Sequence, residues 1–394
     1  MGLGGVCQSA GTALLGVATL VAAGWLWAGI QLLVARRTLP SLADVEPLSD
    51  PALPSLTVVA AARDEAARVE HSVQSLLAQS YPSLQVVVAD DRSVDGTGSI
   101  LDRLAAGDPR LRVIHVQTLP EGWIGKCHAL AGAAAGAKSE WLLFTDGDVT
   151  FAPDAARRAV SLALAEGADH LAVAPHLIVE GLGEAAFTGY FVVMFHLSQR
   201  PWLARDPRSA AAVGIGAFNL VRRDAYERSG GHERIRYELI DDLALGKSLK
   251  RSGARQLFAL DGNRIRARWH VGARGLIHGV EKNAFAAFGY RTILGVLAVG
   301  AQLLLALTPV AALFFPGFAP KVAAAVAWVG VALAFGATYW GARHRWLSAA
   351  LMPIGGILFS YAILRSIVLA VVRRGIYWRG TFYPLEALRR ERQG

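Results

Sequence analysis

Trp141 to Val149 reads WLLFTDGDV: an apolar run, one hydroxyl, then Asp146 and Asp148 on either side of Gly147. A short apolar segment that ends in turn formers is the pattern of a strand buried on both faces. In open α/β sheets, ligands bind beyond the carboxyl ends of such strands. Two carboxylates flanking one small residue at that place suit a hard divalent cation and a ribose side by side, because Mg²⁺ takes oxygen ligands together with a substrate's phosphates. A solvated loop is the bland alternative.

The same rhythm repeats on both sides. Ser55 to Ala61 (SLTVVAA) and Leu84 to Ala89 (LQVVVA) are short β-branched runs, followed by Arg63, Asp64 and Glu65 and by Asp90, Asp91 and Asp95. Between them Glu65 to Gln79 carries Val69, Val73, Leu76 and Leu77 at helical spacing. LRVIHV at Leu111 to Val116 and a small-residue helix around Ala129 to Ala137 continue the alternation, which predicts a largely parallel sheet with helices on both faces. A carboxylate at Asp90 or Asp91 can accept from a base N–H or a ribose hydroxyl, although Asp, Ser and Gly also build ordinary turns. Lys126, in EGWIGKCHAL, precedes the small-residue helix, where a cation and backbone N–H groups meet a diphosphate; a surface lysine is the other reading. Asp241 and Asp242 open the amphipathic stretch LIDDLALGKSLK, either as helix caps or with one of them as a general base. His128 and His232 are weaker candidates, since a lone histidine is more often structural.

The whole chain has 394 residues, is 53% hydrophobic and only 18% charged, and carries a formal net charge of +9. That is too apolar for an ordinary soluble enzyme. Thr12 to Val34 carries no charge, is long enough to span ~30 Å of hydrocarbon, and is followed at once by Arg36 and Arg37. This predicts an uncleaved anchor with its carboxyl end in the cytoplasm. Ile293 to Phe315 and Val322 to Trp340 read as a hairpin broken at Pro316, Gly317 and Pro320. Leu347 to Val372 holds Pro353, Gly355, Gly356 and Arg365. If that last segment spans, the tail with Arg373, Arg374, Arg379, Arg389, Arg390 and Arg392 lies outside, against the positive-inside bias; a broken or interfacial segment keeps it in the cytoplasm. Gly272 to Tyr290 mixes Arg274 and Lys282 with Leu276, Ile277, Phe285 and Phe288, as an interfacial or a plain packing helix would. The positive charge suits lipid surface and phosphate. No nucleic-acid-binding signature accompanies it, so nucleic acid is not an expected partner. Cys7 and Cys127 form no disulfide or metal pattern. The expected layout is an anchor over residues 1–38, a catalytic domain over 39–270, an interfacial helix over 271–292, membrane segments over 293–372 and a basic tail over 373–394.

Read in order, VVAAARDEAARVEHSVQSLLAQSYP, VVVADDRSVDGT, LPEGWIGKCHALAGAAAGA, WLLFTDGDV, GIGAFNLVRRDAYERSGGH and DDLALGKSLKRSG resemble family 2 glycosyltransferases of the GT-A fold. HGVEKNAFAAF and WRGTFY resemble the membrane branch that includes hopene-associated and carotenoid glycosyltransferases. The resemblance implies an inverting, multi-pass enzyme of the cytoplasmic membrane, acting at its cytoplasmic face on a nucleotide-sugar, with UDP-sugars foremost, and a lipid-like acceptor, isoprenoid, hopanoid or other. It implies that Asp91, helped by Asp90, contacts the base, that Arg63, Glu65 and Lys126 line the donor site, that Asp146 faces the ribose and that Asp148 holds Mg²⁺ or Mn²⁺. Asp242 matches the second acid of the family's E-D pair, its usual base, and Asp241 stands where Glu is common. The Q-x-x-R-W signature of processive synthases is absent; RARWH at Arg266 to His270 is only an echo of it. A sugar nucleotidyltransferase would need a Gly-rich basic loop where VVAAARDE stands, and a non-catalytic membrane scaffold would have no use for the four acids together.

Overall fold

The computed structural model describes residues 3–338 and 345–391. Trp340, Arg392 and the side chain of Cys7 lie outside the described residues. The chain begins with helix α1 (Leu3–Thr38), whose last turn holds Arg36 and Arg37. The first half of the sheet domain alternates β1 (Leu56–Ala62), α2 (Val69–Leu77), β2 (Leu84–Asp91), α3 (Thr97–Gly107), β3 (Leu111–Val116), α4 (Gly125–Ala135) and β4 (Trp141–Asp146). The second half adds β5 (Thr150–Phe151), α5 (Ala155–Ala165), β6 (His170–Ala174), β7 (His176–Leu177), α6 (Leu182–Gln199) and β8 (Asn219–Arg222). It closes with α7 (Arg223–Arg228), α8 (Gly231–Arg234), α9 (Asp241–Arg251), β9 (Gln256–Leu260) and β10 (Ile265–Ala267).

Seven strands form the central sheet in the order β3-β2-β1-β4-β8-β6-β9. β8 alone runs against its neighbours, β4 and β6. The predicted parallel sheet is therefore mixed at one strand. Side chains alternate between two buried layers, as a sheet covered on both faces requires: Val58, Val86 and Leu143 face one core, and Val59, Val87 and Phe144 face the other. The register is level, with Ala62 opposite Asp90 on β2 and Ala61 opposite Asp146 on β4. Three strand ends thus deliver their acidic residues to one rim.

Beneath the sheet domain lie α10 (Gly272–Ala287), α11 (Thr292–Phe314), α12 (Phe318–Thr338), α13 (Arg345–Ala350) and α14 (Met352–Val372). Among the described residues four helices, α1 from Gly11 onward, α11, α12 and α14, are long and apolar enough to cross a membrane. α1 and α12 run in the same direction: Gly29 meets Gly330 backbone to backbone, and Arg36 Nη1 donates to the Gly336 carbonyl at 2.9 Å. Small residues allow this close approach. The expected hairpin is present, but Pro320 starts α12 rather than breaking it, in the first-turn position where proline costs a helix little.

The last apolar stretch is a short helix followed by an unbroken one, with Pro353 in its first turn. α14 lies along the sheet domain at both ends. Gly355 is packed on Ala186 and Tyr190 of α6, whereas Ser366 Oγ donates to the Glu281 carbonyl of α10 at 2.5 Å and Arg373 pairs with Glu281 at 3.3 Å. Arg365, awkward in sequence, pairs with the same Glu281 at 3.2 Å. The chain then returns to the sheet domain as a hairpin, β11 (Gly375–Trp378) and β12 (Thr381–Pro384), and a final helix α15 (Leu385–Glu391). Arg389 donates to the Tyr290 carbonyl at 3.1 Å and Arg236 lies 3.9 Å from Glu391. Arg379 and Arg389 of the tail thus pack against the sheet domain and the turn after α10.

Candidate active site

Lys126, in the first turn of α4, stands at the centre of the rim. Its ammonium lies 2.7 Å from Asp146 Oδ1 at the end of β4 and 3.0 Å from Asp241 Oδ2 at the start of α9. Burial opposes this charge, but Asp146 and Asp241, with Asp242 behind them, hold the ammonium well above its ordinary range. Sequence reasoning aimed Lys126 at a diphosphate; two carboxylates already engage it. In this arrangement the ammonium links the end of β4 to the start of α9.

Asp242 is placed by backbone. Its Oδ2 accepts from the Gly216 N–H at 2.7 Å and its Oδ1 from the Leu243 N–H at 2.8 Å. The loop from Val213 to Gly216 fits α9 without a gap. A methyl on Gly214 would land on the Asp242 carbonyl, and one on Gly216 would lie 2.9 Å from Asp146 Oδ2 and 3.5 Å from Asp242 Oδ2. Burial, and next the neighbouring Asp241, raise the Asp242 carboxyl to about 6. Asp241 moves the opposite way: burial would raise it, but Lys126, Lys282 and His232 outweigh burial and lower it. Adjacent acids pushed apart in this way mark a site with one proton to exchange.

Asp148 pairs with Arg68 at 3.2 Å. Burial comes first, then Asp146 and Glu65, in raising its carboxyl to about 6. Among the described residues no three His, Cys, Asp or Glu side chains group as metal ligands. A Mg²⁺-type cation that arrives with phosphates needs only one or two carboxylates. Asp148, crowded by Asp146 and Glu65 and only partly offset by Arg68, has the donor type and the excess of negative charge that such a cation fits.

On the other flank, Asp91 is gripped by Arg92 at 2.7 Å and lies 3.6 Å from Arg63. Asp90 turns away, to the Ser93 N–H at 3.3 Å and to His115 at 3.1 Å. Asp95 serves the turn reading by accepting from the Thr97 and Ala66 N–H groups. Glu65 meets Arg379 of the terminal hairpin at 2.7 Å, and the same guanidinium donates to the Arg63 carbonyl at 2.5 Å. Tyr383, also from the hairpin, accepts from the Gly125 N–H at 3.2 Å beside Lys126. Arg379 and Tyr383 escaped the sequence reading. The signal was present in IYWRGTFY, whose aromatic alternation about Arg379-Gly380 is that of a tight hairpin. His232 is bound to the Tyr226 hydroxyl at 2.9 Å within the core, and His128 lies edge-on against Trp123.

The mostly parallel sheet flanked by helices, with acids at the ends of β2 and β4 and an acid pair opening α9, has the architecture of the GT-A fold. Residues 57–230 match the model of the family described as glycosyl transferase family 2. The chain is 28% identical over 197 residues to 4,4'-diaponeurosporenoate glycosyltransferase of Staphylococcus aureus strain bovine RF122 / ET3-1, covering 49% of this chain and 51% of the relative. The protein of the same name from strain USA300 is 27% identical over the same length. The chain thus spans about half the length of the curated relatives it matches. Among solved structures, mannosyltransferase PcManGT from Pyrobaculum calidifontis, in complex with GDP-Man and Mn²⁺, aligns over 92% of this chain and 99% of its own, with a TM-score of 0.54 and 20% identity. That likeness concerns the fold.

Proposed function

We propose that this protein is a membrane glycosyltransferase that moves one sugar, with inversion, from a nucleotide-sugar onto the hydroxyl of a lipid-like acceptor. The observation that carries the reading is Asp242: a carboxylate aligned by two backbone N–H groups, raised to about 6, beside the Asp146–Asp148 pair and above a set of apolar helices. In that place it takes the acceptor's proton as its oxygen bonds to the anomeric carbon and the bond to the diphosphate breaks. Asp91 and Arg63 line the base end of the donor, and Asp146 faces its ribose. A divalent cation, Mg²⁺ or Mn²⁺, held by Asp148, supplies neutralisation of the diphosphate charge when bound. Positioning by the rim and by Lys126 supplies much of the remaining acceleration.

The carotenoid-type relatives support a lipid acceptor. Its tail stays among α10, α11 and α14 while its hydroxyl rises to Asp242. Arg36 and Arg37 in the last turn of α1, with Arg373, Arg379 and Arg389 bound to Glu281, Glu65 and the Tyr290 carbonyl, support a basic face shared with the acid rim. By the positive-inside bias that face is cytoplasmic. The test is incubation of the purified protein with a panel of nucleotide-sugars and total membrane lipid, with and without Mn²⁺, followed by mass spectrometry. New glycolipids that need the cation are the expected product. Nucleotidylated sugar as the sole product, or a panel left intact, would overturn the reading.

The fit of the Gly214 loop adds a second expectation. Gly214→Ala must move α9, and small misplacements at a reacting centre are costly. It is expected to lower turnover at least about tenfold. Gly132→Ala, where an added methyl meets nothing within 4 Å, serves as the matched control and keeps wild-type initial rates.

A further inference from the structure

With Lys126 held by two carboxylates, a different cation faces the donor. Lys282 on α10 points its ammonium into the same cleft. Its contacts are the face of Trp378, with the ring centroid at 4.1 Å, and the Leu239 carbonyl at a long 3.5 Å. Among the described residues no carboxylate pairs with it. Burial, then the charge of Lys126, lower its proton affinity, and Asp241, Asp146 and Asp242 recover only part of it. Lys282 is half-buried, and a partly desolvated cation left with one weak acceptor is favoured by an anion that joins it.

Three further basic side chains surround the same spot. His270 is depressed to about 4 by burial and by Arg68, Lys282 and Arg379, so all three cations face it from α10, from the segment before α2 and from the terminal hairpin. Arg68 is bound to Asp148 and Arg379 to Glu65. Lys282 alone among these cations has no acid partner. An anion that completes the group would sit between Lys282 and His270, on the side where Arg68 holds Asp148.

We propose that Lys282, roofed by Trp378 and flanked by Arg68, His270 and Arg379, is a phosphate subsite that receives the diphosphate of the donor. This rests on the donor reading above and moves the diphosphate contact from α4 to the helix beneath the sheet domain. A lysine there makes charge-assisted hydrogen bonds to phosphate oxygens, and it steadies the negative charge that grows on the departing nucleoside diphosphate. Because Trp378 belongs to the hairpin that Arg379 fastens to Glu65, the subsite is assembled only with that hairpin in place.

The experiment uses the full chain in nanodiscs and calorimetric titration with UDP, GDP and the matching nucleosides. Lys282→Met is expected to weaken binding of the nucleoside diphosphate at least about tenfold, the size of one hydrogen bond to a charged group, with nucleoside binding unchanged and Lys282→Arg restoring most of the loss. Should the Met variant unfold early in a thermal scan, Lys282→Gln and competition of inorganic pyrophosphate against UDP or GDP on the wild type give the same readout. Unchanged diphosphate affinity with a raised KM for the lipid would place Lys282 on the acceptor and overturn the subsite. Unchanged affinity with unchanged KM would overturn it as well. A wild type that binds no nucleoside diphosphate would instead remove the donor reading, and the subsite with it.

Discussion

Asp242→Ala is expected to lower turnover at least ~10²-fold, the low end for loss of a general base, while nucleoside diphosphate affinity stays near that of the wild type. The carboxylate is anchored through Gly216 and Leu243, so removing it frees two N–H groups and does not break an ion pair. Its neighbour cannot replace it: Asp241 is engaged by Lys126 at 3.0 Å and lowered, which makes it a weak proton acceptor. The Asp242 carboxyl, raised to about 6, must be ionised to act. kcat/KM should therefore rise with pH, reach half its plateau near 6 and stay level above. In Asp242→Asn the residual rate should lose this acid limb. Stopped-assay initial rates across pH 5 to about 8 would record both effects. Near-normal turnover in Asp242→Ala would remove this residue as the base.

Asp148→Asn is expected to abolish cation-dependent transfer, by ~10²-fold or more, and at the same time to stabilise the fold. A carboxyl raised to about 6 by burial, Asp146 and Glu65 keeps in the folded state a proton that the unfolded chain loses at lower pH. The stability this proton confers is greatest in acid and is gone once the pH has passed 6. Above that, the ionised side chain is a net burden of about 1 kcal/mol once solvent screening is allowed for. Removing the charge should raise the apparent melting midpoint by about 2–4 °C in a scan near pH 7.5. Mn²⁺ should stabilise the wild type and leave the variant unmoved. A lower midpoint in Asp148→Asn, or equal stabilisation of both proteins by Mn²⁺, would contradict the crowding of acids described here.

Much of the rim was legible before any coordinates. LRVIHV forms β3 with the bounds read from the sequence, and the runs before Asp91 and Asp146 end at the rim because β-branched and aromatic residues stop where turn formers begin. α2 starts at Val69 rather than Glu65, because the Glu65 N–H is taken by the Thr97 hydroxyl at 2.9 Å and the chain turns there first. β8 was hidden because NLVR is four residues long and its reversed direction is a matter of pairing, which periodicity does not report. The partners of Lys126 and Lys282 were hidden for a related reason. A motif names a charge, but only the packing of α4 against α9, and of α10 against the hairpin, decides which opposite charge it meets. The contact between Arg379 and Glu65 joins residues 314 positions apart, beyond the reach of any local pattern.

The return of β11 and β12 to the sheet domain ties the far end of the chain to the acid rim. Arg379 reaches Glu65 and the Arg63 carbonyl, and the Tyr383 hydroxyl accepts from the Gly125 N–H beside Lys126. Residues translated last thus hold residues translated early, so the rim acquires its final shape only after the apolar helices between them have packed.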